Sequence, residues 1–250
     1  MSDPILLALV GATFLLAGTV KGVIGLGLPT LSLALLSIVT DLTQAMALLV
    51  MPSLVTNMWQ ACAGGNGAAI VRRLWPFLGM AGLTVWLGAL ALTRLDLALL
   101  SGLLGLLLIA YGGASLAGLR LSVPAARQSW AGPLTGAVNG VLTGMTGSFV
   151  VPGVMYLQAI GLSRDALVQA MGMLFTVSTL ALAAALQGHG LMTMELSAVS
   201  AAALIPALAG MALGQSVRRR LAEAAFRRVF FASLVALGLY IFAGALARFL

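Results

Sequence analysis

The chain has 250 residues, 61% hydrophobic, 8% charged and 6% aromatic, with 30 glycines and a mean hydropathy of +1.11, against roughly 25% charge in an ordinary soluble domain. Too few polar groups exist to coat a water-soluble globule, and uncharged runs long enough to cross a hydrocarbon core of about 30 Å recur from end to end. The net charge of +7 comes from 13 basic residues scattered in short connecting segments without interleaved aromatics, which points to membrane topology and away from nucleic acid.

The expected fold is therefore all-α and polytopic, in contact with a lipid bilayer, because in lipid a helix satisfies its own backbone. Met1-Ser-Asp-Pro4 precedes Ile5 with no basic n-region and no small-residue cleavage site, so the first helix is expected to be retained, not removed as a signal peptide. Residues 5–39 are too long for one pass and barely long enough for two. Gly22, Gly25, Gly27 and Pro29 interrupt them, and residues that end or bend helices at membrane depth indicate a broken helical hairpin. Three spans near the required ~20 residues follow, at 42–63, 74–93 and 97–119. Cys62 is the single cysteine, so no intrachain disulfide can form. A second hairpin is expected at 130–160, interrupted by Gly140, Gly144, Gly147, Pro152 and Gly153, and then spans at 166–186, 196–213 and 229–247.

The two hairpin regions resemble each other. Gly18-Thr-Val-Lys21-Gly22-Val-Ile-Gly25 aligns with Gly136-Ala-Val-Asn139-Gly140-Val-Leu-Thr143, and Gln44-Ala-Met46 with Gln169-Ala-Met171. Residues 1–119 and 120–250 thus read as two membrane repeats, each a broken hairpin plus three transmembrane helices. The positive-inside rule sets the orientation. With Arg72, Arg73, Arg120, Arg127, Arg164, Arg218, Arg219, Arg220, Arg227 and Arg228 in the cytoplasm, Arg94 and Arg248 lie outside and Lys21 lies within the protein. Each hairpin must then return to the side it started from, which makes the repeats inverted and puts both chain termini outside the cytoplasm. Inverted repeats with broken helices are a frequent architecture among secondary transporters, with substrate near the midplane where the repeats meet.

Lys21 is the only lysine and sits in an otherwise apolar stretch, where an unpaired cation costs at least ~2.5 kcal/mol. Two roles stay open for it: an anion-binding charge beside the glycine-rich break, or a topology signal snorkelling at the hairpin tip. Gly25-Leu-Gly27-Leu-Pro-Thr30 and Thr143-Gly-Met-Thr146-Gly147-Ser148 place small residues and hydroxyls where a second half-helix would begin, with exposed N–H groups and a positive dipole end suited to an anion. Gly132, Gly136, Gly140 and Gly144 recur every fourth residue and read as a helix-packing stripe. Asn57 is the deepest amide and the best ligand candidate of its span, whereas Gln44, Gln60, Gln169, Thr176 and Ser178 suit bonds between helices. The expected substrate-binding set is Lys21, Gly25, Gly27, Thr30, Asn57, Asn139, Thr143, Thr146, Gly147 and Ser148.

Asp41 and Asp165 sit at the starts of spans and read as helix N-caps, and His189 lies in a glycine-flanked connection. An enzyme is not expected. Gly113-Ala-Ser-Leu116 lacks the final glycine of an intramembrane serine motif, the only histidine is outside the spans, no aspartate pair lies at membrane depth, and no His/Cys/Glu cluster has metal-ligand spacing. No cofactor is implied.

The chain resembles the TauE/SafE family of sulfite exporters, anion permeases with duplicated halves. The resemblance is carried by Ala17-Gly-Thr-Val-Lys-Gly-Val-Ile-Gly-Leu-Gly-Leu-Pro29 with Gln44 to Pro52, and by Gly136-Ala-Val-Asn-Gly-Val-Leu-Thr-Gly-Met-Thr-Gly-Ser-Phe-Val-Val-Pro152 with Gln169-Ala-Met171. It implies transport of a small sulfur-containing or carboxylate anion. The expected function is a secondary transporter moving sulfite or an organosulfonate across a bacterial cytoplasmic membrane by alternating access. The alternative is a channel-like or scaffold membrane protein without coupled transport. Coupling to a proton or another ion, and assembly as a homo-oligomer, stay open.

Overall fold

The structure is a computed structural model and describes residues 3–119, 121–218 and 222–248. Arg120, Arg219, Arg220 and Leu250, on which part of the orientation argument rests, lie outside the described residues. Every element described is helical: α1 Pro4–Ile24, α2 Leu28–Val39, α3 Leu42–Leu48, α4 Val50–Cys62, α5 Gly67–Leu83, α6 Val85–Ala89 with a 3-10 turn Leu90–Thr93, α7 Leu97–Leu116, α8 Ala125–Thr146, α9 Gly153–Ala159, α10 Arg164–Gly188, α11 Met194–Arg218 and α12 Glu223–Leu246. Six stretches among the described residues are long and apolar enough to cross a membrane: Pro4–Ile24, Gly67–Thr93, Leu97–Leu116, Arg164–Gly188, Met194–Arg218 and Ala224–Leu246. Large apolar side chains lie on the surface along these stretches, among them Leu16, Leu83, Leu106, Leu180 and Ile205, which is what lipid-facing helices require.

Both hairpin regions break at their glycines. In the first, α1 alone is long enough to span, and Gly25 (φ 77°) and Gly27 (φ 105°) carry the chain into the shorter α2. In the second, α8 ends at Gly147 and a short α9 follows after Pro152. Gly25 and Gly147 close their helices alike, each in the left-handed region with its N–H donated back to the last turn: Gly25 to Lys21 O at 2.8 Å, Gly147 to Thr143 O at 2.7 Å.

Residues 42–63 form two helices, α3 and α4, bent by 45° at Leu49, where the sequence suggested an ordinary span. The cause is Pro52, which has no N–H to return to Leu48 O. Ser200 of α11 fills the gap, donating its hydroxyl to Leu48 O at 2.8 Å and accepting the Met51 N–H at 3.0 Å.

The chain divides into two compact units, one of residues 1–52, 95–119 and 190–250, the other of residues 53–94 and 120–189. Each combines segments from both halves of the sequence. In the first unit α1 lies along α11 and α7 along α12; in the second α8 lies along α5 and α6, with α10 against the same pair. Without a hydrophobic drive between helices in lipid, small residues let backbones approach closely. A Cβ on Gly18 or Gly22 would strike the α11 backbone at Ala207 or Met211, and one on Gly136, Gly140 or Gly144 would strike the α5–α6 backbone at Phe77, Ala81 or Val85. The α8 stripe is therefore a packing surface.

Candidate functional site

At the first break the sequence places a cation and a helix start together. Lys21 is 5% exposed in the last turn of α1, so its charge lies inside the protein and not at a surface tip. The same position complements the negative end of the α1 dipole. Gly27 caps α2 without a side-chain hydrogen bond, which leaves the first amides of a 12-residue helix unbound by a capping side chain. Thr30 is buried in that first turn, and Ser32 spends its hydroxyl on Leu28 O at 2.7 Å.

The second break is a buried polar knot. Thr143 Oγ1 donates to Ser148 O at 2.9 Å; Thr146 Oγ1 donates to Leu142 O at 2.7 Å and accepts the Ser148 N–H at 3.2 Å. Both threonines, expected as ligand donors, thus have their hydrogens committed to shaping the turn. Asn139 is fully buried, and its Oδ1 accepts the Gly153 N–H at 2.9 Å. That bond orients the amide, because only the oxygen can accept from an N–H. Its Nδ2, and the hydroxyl of the buried Ser148, have no hydrogen-bond partner. A buried donor without a partner costs about 1–3 kcal/mol, so these two atoms mark a place where the fold holds polar capacity in reserve. A Cβ on Gly153 would meet Asn139 Cγ at 2.8 Å and Leu174 Cδ2 at 2.9 Å, which explains why glycine stands where α8, α9 and α10 converge.

Asn57 is fully buried on α4. Gln60 and Gln169 bond helices together: Gln60 Nε2 donates to Val168 O at 2.8 Å, Gln169 Nε2 to Ala61 O at 2.8 Å, and Gln169 Oε1 accepts the Asn66 N–H at 3.0 Å. Two further hydroxyls of the second unit, Ser53 and Ser178, are buried without a partner. Ser178, expected to bond helices together, makes no such bond through its hydroxyl, and Ser53 carries no sequence signal that marks it. Of the expected set, Lys21, Gly25, Gly27 and Thr30 come together at the first break, and Asn139, Thr143, Thr146, Gly147 and Ser148 at the second. Asp41 caps α3 by accepting the Gln44 N–H at 2.8 Å. Ser163, not Asp165, caps α10; Asp165 occupies the first turn, where the helix dipole favours a carboxylate.

Comparison with protein families decides which transport class this architecture belongs to. The family model described as sulfite exporter TauE/SafE matches residues 10–241. The chain belongs to the TauE/SafE family. No match is found among curated proteins or solved structures. The matched region takes in both glycine breaks, four of the six stretches able to cross a membrane in full and most of the other two, so this family member is a multi-pass membrane protein of a sulfite exporter family.

Proposed function

We propose that this TauE/SafE protein carries a small oxyanion, sulfite or an organosulfonate, across the membrane as a secondary transporter working by alternating access, not as an enzyme. The observation that carries the proposal is the second break. There a fully buried asparagine, locked by its oxygen, keeps its Nδ2 hydrogens unused, and the hydroxyl of the buried Ser148 in the turn that follows the same helix is unpartnered too. Donors held in reserve suit a ligand made of acceptor oxygens, since hydrogen bonds to a charged group are worth about 1.5–3 kcal/mol each. The first break supports the same chemistry with the buried Lys21 charge and the amides that open α2. Inverted repeats, with both termini outside the cytoplasm, belong to this proposal through the arginine distribution. A scaffold would have no use for unspent buried donors.

Proteoliposomes containing the purified protein test it. Sulfite or organosulfonate flux should rise with concentration to a plateau and be inhibited by the other anion. Flux linear in concentration would favour a channel; no flux of any sulfur oxyanion, sulfonate or carboxylate would end the permease reading.

A further inference from the structure

A cavity of about 390 Å³ opens in the first unit between the end of α2, the start of α7 and the end of α12. We propose that it binds an amine–phosphate zwitterion of the kind an ethanolamine phospholipid presents as its headgroup. The walls have opposite chemistry. One is the α2–α3 connection, with Ser37, Thr40 and Asp41; the other is the end of α12, with Tyr240 and Arg248, and Ser101 of α7 completes the lining. Ser37 spends its hydroxyl hydrogen on Ala34 O at 3.0 Å and Thr40 on Leu36 O at 2.8 Å. Their oxygens can therefore only accept, as can the Asp41 carboxylate, which uses one oxygen on the Gln44 N–H. Three acceptors on one wall call for a group that only donates, and a primary ammonium has three N–H bonds to give. Arg248 also lines the cavity, and a guanidinium has the fork geometry that matches a phosphate.

The position fits an amphiphile. The cavity lies where helices that cross the membrane begin and end, at the level of the headgroups. Tyr240 is 64% exposed there, the placing expected of an interfacial tyrosine, and Ile38 and Val39 expose apolar surface on the opposite rim. This site is independent of the anion path proposed above, since none of its residues is in that set.

The test uses the purified full-length protein in detergent, with thermal unfolding followed as dioleoyl phosphatidylethanolamine, dioleoyl phosphatidylcholine or dioleoyl phosphatidylglycerol is added, and a parallel titration with soluble O-phosphoethanolamine. The ethanolamine lipid should stabilise the protein at concentrations at least about tenfold lower than the choline lipid, whose quaternary nitrogen has no N–H, or the glycerol lipid, which has no cation. Asp41→Asn keeps the helix cap, and it and Arg248→Gln should each weaken the ethanolamine-lipid response by at least about tenfold while the lipid-free unfolding midpoint stays put. A response to O-phosphoethanolamine at millimolar concentration would make a soluble zwitterion the ligand; a response to the lipid alone would make it the bilayer. Equal stabilisation by all three lipids, wild-type response in both variants, or no response to any probe would overturn the proposal.

Discussion

Ser148 is a single buried residue at which the proposed site can be tested apart from stability. Its hydroxyl has no partner, so Ser148→Ala should leave the unfolding midpoint unchanged or raise it, because an unsatisfied group is removed. The same change should weaken sulfite binding by roughly tenfold, the value of about one hydrogen bond to a charged ligand. Calorimetric titration of sulfite together with a melting curve reads both effects. Asn139→Asp is the complementary change: the carboxylate can still accept the Gly153 N–H, but it replaces a donor with a charge that repels an anion, so binding should fall further than in Ser148→Ala. For Lys21, the proposed anion role predicts that Lys21→Met abolishes flux in proteoliposomes, with the yield of folded protein read alongside by size exclusion. Lys21→Arg should restore flux only in part, its planar guanidinium being unable to present the same compact charge. Wild-type sulfite affinity in Lys21→Met would limit the lysine to its place in the α1 dipole.

At the scale of helices, breaks and their closures depend on distant partners. Ser200 holds the α3–α4 bend by two hydrogen bonds across more than a hundred residues of sequence. Ser200→Ala leaves Leu48 O and the Met51 N–H without that partner and should destabilise the protein by about 1–3 kcal/mol, seen as a lower unfolding midpoint, whereas Ser197→Ala, at a half-buried serine whose hydroxyl bonds only within its own turn, to Thr193 O, should change little. The glycine stripes follow the same logic. Gly144→Val should prevent recovery of folded protein because its Cβ would run into the backbone of Val85 and lie 2.5 Å from Ala89 N, while Gly113→Ala, which meets nothing within 4 Å, should fold normally in a size-exclusion assay. The stripe also explains a shift of register. In the sequence Lys21 aligns with Asn139, but the closing glycines Gly25 and Gly147 return their N–H groups to Lys21 and Thr143, one helical turn further along. A pattern of glycine every fourth residue matches itself when slid by one turn, and only the spacing Gly22-x-x-Gly25 against Gly144-x-x-Gly147 favours the register of the structure.

For the molecule as a whole, the proposed orientation predicts that a reporter active only in the cytoplasm is silent when fused after Leu250 and active when inserted beside Arg127. An active reporter after Leu250 would mean that one hairpin region crosses the membrane an odd number of times. Much of this architecture was legible in composition and periodicity. Membrane residence, helical class, the two glycine breaks and the family follow from runs of apolar residues and from glycines and prolines, because lipid forbids unsatisfied backbone and so leaves few folds open. Local chemistry of that kind is written one residue after another. What only the tertiary structure decided is who meets whom: that α1 packs on α11 and α8 on α5 and α6, so that both compact units draw on both halves of the chain; that Ser200 completes the bend at Pro52; and that Thr143 and Thr146 spend their hydroxyls on the turn while Asn139 and Ser148 keep donors free. Hydrogen-bond satisfaction is a property of three-dimensional neighbours, and a hydroxyl reads the same in sequence whether its proton is spent or held in reserve.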